Sequence, residues 1–443
     1  MRTPDSKSSP RRRWSLVAAA LVGATSIVAV GPAAVASAAP QTISLWLVNG
    51  GTNPPLNSIA QAFEKSHPGV NIDITYLPNN NAGKQKLSVA MAGNTPPTIF
   101  VTSGGGGFSP YVDAGKVVNL DQALKSYGNW QSQFSSASFG PVTFSGKIYA
   151  IPILGSQPAL VYYNKDIFSK LHLTTPTTWA GMVSDAAKVK SAGLIPFALG
   201  NSEGWPGLIW EEMLVDRIGG GQLVGSLLGG ASAPWASSAV VKANTMIQEL
   251  VKDGYFQPGY SAVDYSNGEP NALMFSGKAA MQLMLSFGYT QMQTADASFV
   301  NQGHLGWFPF PTVPGGKGNP ADEEGNVGQY AAITTGASPA LQKLAGEFLA
   351  SEMGSAQYAK LMLQGDEAPL MVAAEKYLSD ANPFTQFAYG LAVKAPYYGD
   401  SWDNTLPAAD GHPLLSDLES VFTLSETPAK FSSQMVGVAK SAS

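Results

Sequence analysis

Cysteine is absent from the 443 residues. That removes disulfides, thiolate metal sites, thiol nucleophiles and the acylated cysteine that tethers many exported bacterial proteins. Histidine is nearly as scarce. His67, His172, His304 and His412 are scattered, and no pair has metal-ligand spacing, so no metal site or cofactor is expected. No Gly-Lys-Ser/Thr triplet closes the glycine run Gly104–Gly107 into a phosphate-binding loop. G-x-S-x-G is missing, which leaves an α/β-hydrolase unsupported, and no G-x-G-x-x-G opens a helix. Charge is sparse at 13%, with 26 basic and 31 acidic side chains, and this argues against a nucleic-acid partner. A hydrophobic content of 44% argues equally against a disordered chain.

What is present begins with an export signal. Arg2, Lys7 and Arg11 to Arg13 precede an apolar run from Leu16 to Val30, and Ala36-Ser37-Ala38 supplies the small residues of a cleavage site. The run ends at Gly31-Pro32, short of the roughly twenty residues a membrane span needs. Residues 1–38 therefore read as a signal peptide cleaved near Ala38. The protein is expected outside the cytoplasm: extracellular, associated with the cell surface, or periplasmic. Arg12-Arg13-Trp14 resembles a twin-arginine signal. The remaining length suits two domains, each with a core of its own.

The mature chain opens as β-α-β-α-β. Ile43 to Val48 reads as a buried strand, and Leu56, Ile59, Ala60 and Phe63 mark one face of a helix stopped by His67-Pro68-Gly69. Val70, Ile72, Ile74 and Tyr76 alternate as a second strand. A helix carrying Leu87, Ala90 and Met91 then leads into Thr98 to Thr102. Such an order implies a parallel sheet covered by helices, whose ligands bind outside the carboxyl ends of the strands. Those ends carry Asn49 and Asn53, Asn80, and Ser103 with Gly104. A second α/β region follows: a helix over Trp179 to Lys190, a strand over Ile195 to Leu199 ending in a loop with Glu203 and Trp205, and a strand ending at Ser286-Phe287-Gly288-Tyr289. The last hundred residues read as helices.

Two stretches invite a catalytic reading. "ALVYYNKDIF" (Ala159 to Phe168) has Asn-Lys-Asp where a guanine-reading loop needs Asn-Lys-x-Asp, and Tyr162 is not four residues from Lys165 as reductase chemistry requires. It reads as a strand followed by a helix that starts near Asp166, a good cap or first-turn residue. The pairs Glu211-Glu212 and Glu323-Glu324, with Glu203, could flank a glycosidic bond. The first pair is expected on a solvated helix face and the second in a polar loop. Aromatics are more informative: Trp205, Phe287, Tyr289, Trp307, Tyr397, Tyr398 and Trp402 fall near strand ends or in polar loops beside Asn, Gln, Glu and Ser. Aromatic faces rimmed by hydrogen-bonding groups suit a carbohydrate, which offers an apolar C–H face and a ring of hydroxyls.

Five motifs, in this order, carry a resemblance: "AGKVVNLDQAL", "GKIYAIPI", "LVYYNKDIF", "TPTTWAGM" and "FSGKAAM". Together they resemble extracellular solute-binding proteins of ABC importers, in the sugar-binding group typified by maltose-binding protein. The resemblance implies a two-lobed α/β fold, each lobe a mostly parallel sheet flanked by helices, closing on ligand at a hinge. It implies a monomer that binds sugar without catalysis and docks on the permease subunits of an ABC transporter. Three crossings are expected near Ile151, Leu305 and Gly336, giving lobes of 39–151 plus 305–336 and 152–304 plus 337–443. By position, Gln157 matches a cleft carboxylate of the family, Glu203 and Trp205 match a polar and a stacking contact, and Phe287 and Tyr289 match aromatics after Gly-Lys-x-Ala-Met. Val101 to Gly104 replace a family tryptophan and its charged neighbours, which implies a roomier, less charged first lobe than in maltose binders. A secreted glycoside hydrolase and a solute sensor feeding a receptor are the alternatives.

Overall fold

The computed structural model describes residues 40–48, 53–78, 81–93 and 95–442, so the signal segment, Asn49 and Asn80 lie outside the described residues. The opening of the chain folds as its periodicity dictates: β1 (Gln41–Val48), α1 (Pro54–Ser66), β2 (Val70–Leu77), α2 (Asn81–Ala92) and β3 (Ile99–Thr102). In β1, alternation buries Ile43, Leu45 and Leu47. In α1 the buried stripe is Pro55, Leu56, Ile59, Ala60 and Phe63. Asn53 caps that helix, its Oδ1 accepting the Leu56 N–H at 2.8 Å, with Pro54 and Pro55 in the first turn. β1 pairs in parallel with both β2 and β3, as helical crossovers require.

The chain continues through α3 (Gly105–Asp113), a short hairpin of β4 (Thr143–Phe144) and β5 (Lys147–Ile148), then β6 (Ile151–Leu154) and β7 (Gln157–Asn164). Later strands are β8 (Ile195–Phe197), β9 (Ala279–Leu285), β10 (Leu305–Pro309), β11 (Glu323–Asn326), β12 (Gln329–Ile333) and β13 (Tyr398–Asp400). They build two sheets. The first has the order β2-β1-β3-β12-β6; the second has β13-β11-β7-β9-β8, with β10 also on β7. Each sheet lies in its own hydrophobic core, one containing Ile43, Phe100, Tyr330 and Phe348, the other Tyr162, Trp210, Met281 and Trp402.

Mostly parallel sheets were expected, yet both are mixed. β12 runs antiparallel to β3 and β6, and β7 runs antiparallel to β9, β10 and β11. Strands arriving from the other half of the molecule need no helical crossover, so nothing forces them parallel. The crossings also differ from those expected. The chain leaves the first sheet between Leu154 and Gln157 and returns between Asn326 and Gln329. β10 and β11, which follow Leu305, still belong to the second sheet. The helices Pro339–Glu352 and Ala356–Gln364 bury Leu344, Phe348, Tyr358 and Met362 in the first core, and the helix Pro383–Lys394 brings Phe384 to the second. Amphipathic periodicity reports that a helix has an apolar face, not which of two cores receives it.

"ALVYYNKDIF" is β7 running into the helix Lys165–Lys170. Asn164, not Asp166, is the cap: its Oδ1 accepts the Asp166 and Ile167 N–H groups, both at 3.0 Å, while its Nδ2 donates to the Met274 carbonyl at 3.0 Å. Asp166 occupies the first turn, 2.7 Å from His304 Nδ1. Asn164→Ala removes the cap and strands a buried carbonyl, so urea unfolding is expected to show a loss of about 2 kcal/mol.

Candidate functional site

A cavity of about 1260 Å³ opens between the two sheets. Seven of the eleven candidate residues line it: Asn53, Ser103 and Gly104 from the first half, and Gln157, Glu203, Trp205 and Phe287 from the second. Tyr289 and Trp402 do not. Tyr289 stacks on Phe384 with centroids 4.1 Å apart, and Trp402 is fully buried edge-on to Trp235. Both follow strand ends, but the turn after each strand rotates them into the core.

Trp205 is placed by a local device. Gly204 takes φ +78°, a conformation open to glycine, and Trp205 starts the helix Trp205–Gly219. With no side chain at Gly204 to cap it, Asn201 does so, its Oδ1 accepting the Gly207 N–H at 2.7 Å and its Nδ2 donating to Glu419 at 2.7 Å. The Trp205 indole N–H donates to Glu203 Oε2 at 3.1 Å, which holds the ring half-exposed in the cleft. Phe287 depends on Tyr162 of "ALVYYNKDIF". That fully buried hydroxyl donates to the Ser286 carbonyl at 2.8 Å and accepts the Tyr289 N–H at 3.1 Å, bracing the turn from which Phe287 projects.

Sequence reasoning missed a third ring. Tyr265 packs edge-on to Trp205 at 5.3 Å and to Phe287 at 6.1 Å, and its hydroxyl donates to Gln291 at 2.8 Å. It sits in a short 3-10 turn with no strand before it, so a search of strand ends passes over it. Trp205, Tyr265 and Phe287 make one aromatic wall, with Asn271 and Gln291 beside it.

The opposite wall is polar and draws on both ends of the chain. Lys84, Gln85 and Ser88 of α2 line it, as does Glu367. Glu367 accepts the Asn53 amide at 2.5 Å, and burial pushes its carboxyl up to about 7. Asn53 therefore spends both side-chain polar atoms within the fold. Gln157 likewise accepts the Asn326 amide at 2.7 Å. At the crossings, the Tyr398 hydroxyl meets Ser156 Oγ at 2.9 Å and donates to the Asn326 carbonyl at 3.1 Å, so one group touches both connecting strands. Glu203, Asp366, Glu367 and Asp403 face only Lys84 and His412 as potential cations among the described lining residues. The cavity is thus biased against anions.

None of the four glutamates of the two pairs lines this cavity, although Glu212 accepts the hydroxyl of Ser401, which does, at 3.0 Å, and none is solvated as expected. Glu211, Glu212 and Glu324 are fully buried and Glu323 nearly so. Their helix, Trp205–Gly219, is covered on all sides, and Glu323-Glu324 form part of β11. Glu211 accepts the Asn244 amide at 2.7 Å, Glu212 the Trp402 N–H at 2.7 Å, and Glu323 the Ala159 N–H at 3.2 Å. Burial pushes Glu211, Glu212 and Glu323 up to about 8. Burial, with Asp216, Glu212 and Glu323 nearby, also holds Glu324 well above the usual carboxylate range. They hold no position flanking a ligand.

The description "bacterial extracellular solute-binding protein" matches residues 49–356. The chain belongs to that family. The match covers β3, the two chain crossings at 154–157 and 326–329, and the aromatic wall of the cleft. Relatives include an uncharacterised ABC transporter extracellular-binding protein of Pyrococcus horikoshii, 26% identical over 61% of this chain and 60% of its own length. A multiple sugar-binding protein of Streptococcus mutans is 24% identical over 59% of this chain and 60% of its own. This family member therefore spans about 60% of the length of those two relatives. It matches an sn-glycerol-3-phosphate-binding periplasmic protein of Pectobacterium atrosepticum at 27% over 80% of this chain and 76% of that one. Among solved structures, one from work on xylan utilization by Caldanaerobius polysaccharolyticus superposes with a TM-score of 0.79 at 30% identity, over 89% of this chain and 99% of the other. A chitin oligosaccharide binding protein gives 0.76 at 25%, over 90% and 98%. No helix among the described residues is long and apolar enough to cross a membrane.

Proposed function

We propose that this solute-binding protein captures a neutral mono- or oligosaccharide outside the cytoplasm and presents it, enclosed, to the permease of an ABC importer, without chemical change. The observation that carries the reading is the aromatic wall of Trp205, Tyr265 and Phe287 facing amide, hydroxyl and carboxylate groups across one cavity. Rings take the apolar face of a sugar and the polar wall takes its hydroxyls. An anionic solute of the glycerol-phosphate kind meets Glu203, Asp366 and Asp403 there, beside a Glu367 that burial holds partly protonated near neutral pH. The lobes we propose are residues 40–154 with 329–378, and 157–326 with 383–442, following the two cores except at Tyr389, which packs into the first. Ligand touching both walls would stabilise only the closed arrangement, which makes closure a population shift.

A thermal-shift screen tests this. Xylo-, chito- and malto-oligosaccharides are expected to raise the melting temperature in at least one series, with sn-glycerol 3-phosphate giving no shift. A ligand at a hundred times its Kd adds about 2.7 kcal/mol. Chromatography of the same samples should recover the sugar intact. A shift with the phosphate ester alone, or steady release of shorter sugars, would overturn the reading.

A further inference from the structure

No Gly-Lys-Ser/Thr triplet follows the run Gly104–Gly107, and four glycines in a row weaken the start of α3 and need a reason. The structure supplies one at the boundary between the two halves. α3 belongs to the first core through Phe108, whereas the segment 402–407 belongs to the second through Trp402 and Leu406. The two meet backbone to backbone. A Cβ at Gly105 would lie 2.7 Å from Thr405 Cα and 2.8 Å from the Asn404 carbonyl oxygen. One at Gly106 would lie 2.5 Å from the Pro407 nitrogen and run into the Leu406 carbonyl. Such separations are shorter than any carbon side chain tolerates, so only bare backbone fits. At Gly107 the same atom would sit 3.7 Å from the Asn404 oxygen, an ordinary contact.

We propose that Gly105 and Gly106 position the two halves of the cleft, forming a side-chain-free seat for the 404–407 segment that sets how closely the walls approach. Gly104, Gly107, Asn404 and Leu406 all line the cavity, so the seat is part of the enclosure itself. A methyl group at Gly106 wedges the walls apart without removing any group that faces the cavity. The nearest atoms it meets, the Leu406 carbonyl and the Pro407 nitrogen, lie in the second half, so the first core can fold around it.

The comparison is Gly106→Ala against Gly107→Ala, which share the same helix, the same chemistry and a comparable gain in helix propensity. Lys84→Cys and Thr294→Cys, on opposite cavity walls of a chain without native cysteine, carry spin labels for distance measurement. In ligand-free protein, Gly106→Ala is expected to shift the distribution to longer distances, while Gly107→Ala superposes on the parent. This arm needs no ligand and so stands apart from the carbohydrate reading. The binding arm rests on that reading: with a sugar that shifts the unlabelled parent, Gly106→Ala should bind about tenfold more weakly, because the closed form becomes a minor fraction. Should Gly106→Ala fail to fold, Gly105→Ala replaces it with Gly104→Ala as its control: both backbones are left-handed, at φ +60° and +89°, but the Gly104 methyl meets Pro141 of the first half and only the Gly105 methyl meets the 404–407 segment, so equal shifts in that pair also overturn the proposal. A distribution identical to the parent, or equal shifts from Gly106→Ala and Gly107→Ala, overturns the proposal.

Discussion

Trp205→Ala is expected to weaken carbohydrate binding by tens of fold while leaving the melting temperature of the ligand-free protein nearly unchanged. The ring is half-exposed in the cleft, so its removal leaves little cavity in the core. What is lost is stacking area: covering an aromatic side chain is worth about 1.5–3 kcal/mol, and each 1.4 kcal/mol is about a factor of ten in Kd. Glu203 loses the indole N–H as well, but it lines the open cavity where water can replace that donor. Trp205→Phe should restore most of the affinity, since it keeps a stacking face and drops only the N–H. Isothermal titration with the best sugar from the thermal screen measures all three proteins. Equal affinity for parent and Trp205→Ala would remove the aromatic wall from the binding reading. The same loss in Trp205→Phe would assign the energy to the Trp205–Glu203 hydrogen bond instead.

Arg217→Ala is expected to be the most destabilising single change, by about 3–5 kcal/mol, because it leaves buried carboxylates without their counter-ion. Arg217 is the one buried cation among the described residues, 2.6 Å from Asp216 Oδ1, and its charge also acts on Glu323 and Glu324. The buried carboxyl groups on which it acts are Asp216, Glu323 and Glu324. The sign of the pH dependence follows. Burial pushes Asp216 up to about 6 and Glu212 and Glu323 up to about 8, against about 4 for an unfolded carboxylate. Between pH 4 and 8 the folded state therefore holds more protons than the unfolded state. These groups contribute most at low pH, and stability falls as pH rises towards 8. The parent protein should melt higher at pH 5 than at pH 8. Arg217→Ala should show a steeper fall over the same window, because the charge that lowers Asp216, Glu323 and Glu324 is gone. Glu324→Gln should flatten the fall. Differential scanning calorimetry from pH 5 to 8.5 reads all three, and equal slopes in parent and Arg217→Ala would refute the account.

The buried pairs also show where sequence pattern reaches its limit. Glu211-Glu212 look like the wet face of an amphipathic helix because carboxylates usually are wet. Their helix is instead enclosed by the second core, and each buried group is answered by a partner from a distant segment: Asn244, Ser401 or the Trp402 N–H. No local spacing encodes those partners. Tyr265 was missed for the same reason, since its ring reaches the cleft only through packing on Trp205 and Phe287.

By itself, the sequence determined the β-α-β-α-β opening and a two-core α/β protein without cysteine or a Gly-Lys-Ser/Thr triplet. Periods of 2 and 3.6 and capping residues are local, so they survive in one dimension. It also brought Glu203, Trp205 and Phe287 into consideration, because strand ends converge in α/β sheets. Only the tertiary structure decided which core each late helix joins, that Tyr289 and Trp402 turn inward, and that the glycine run meets backbone from some three hundred residues later. Those outcomes depend on which surfaces exclude water together, and that is a property of the packed chain, not of any segment within it.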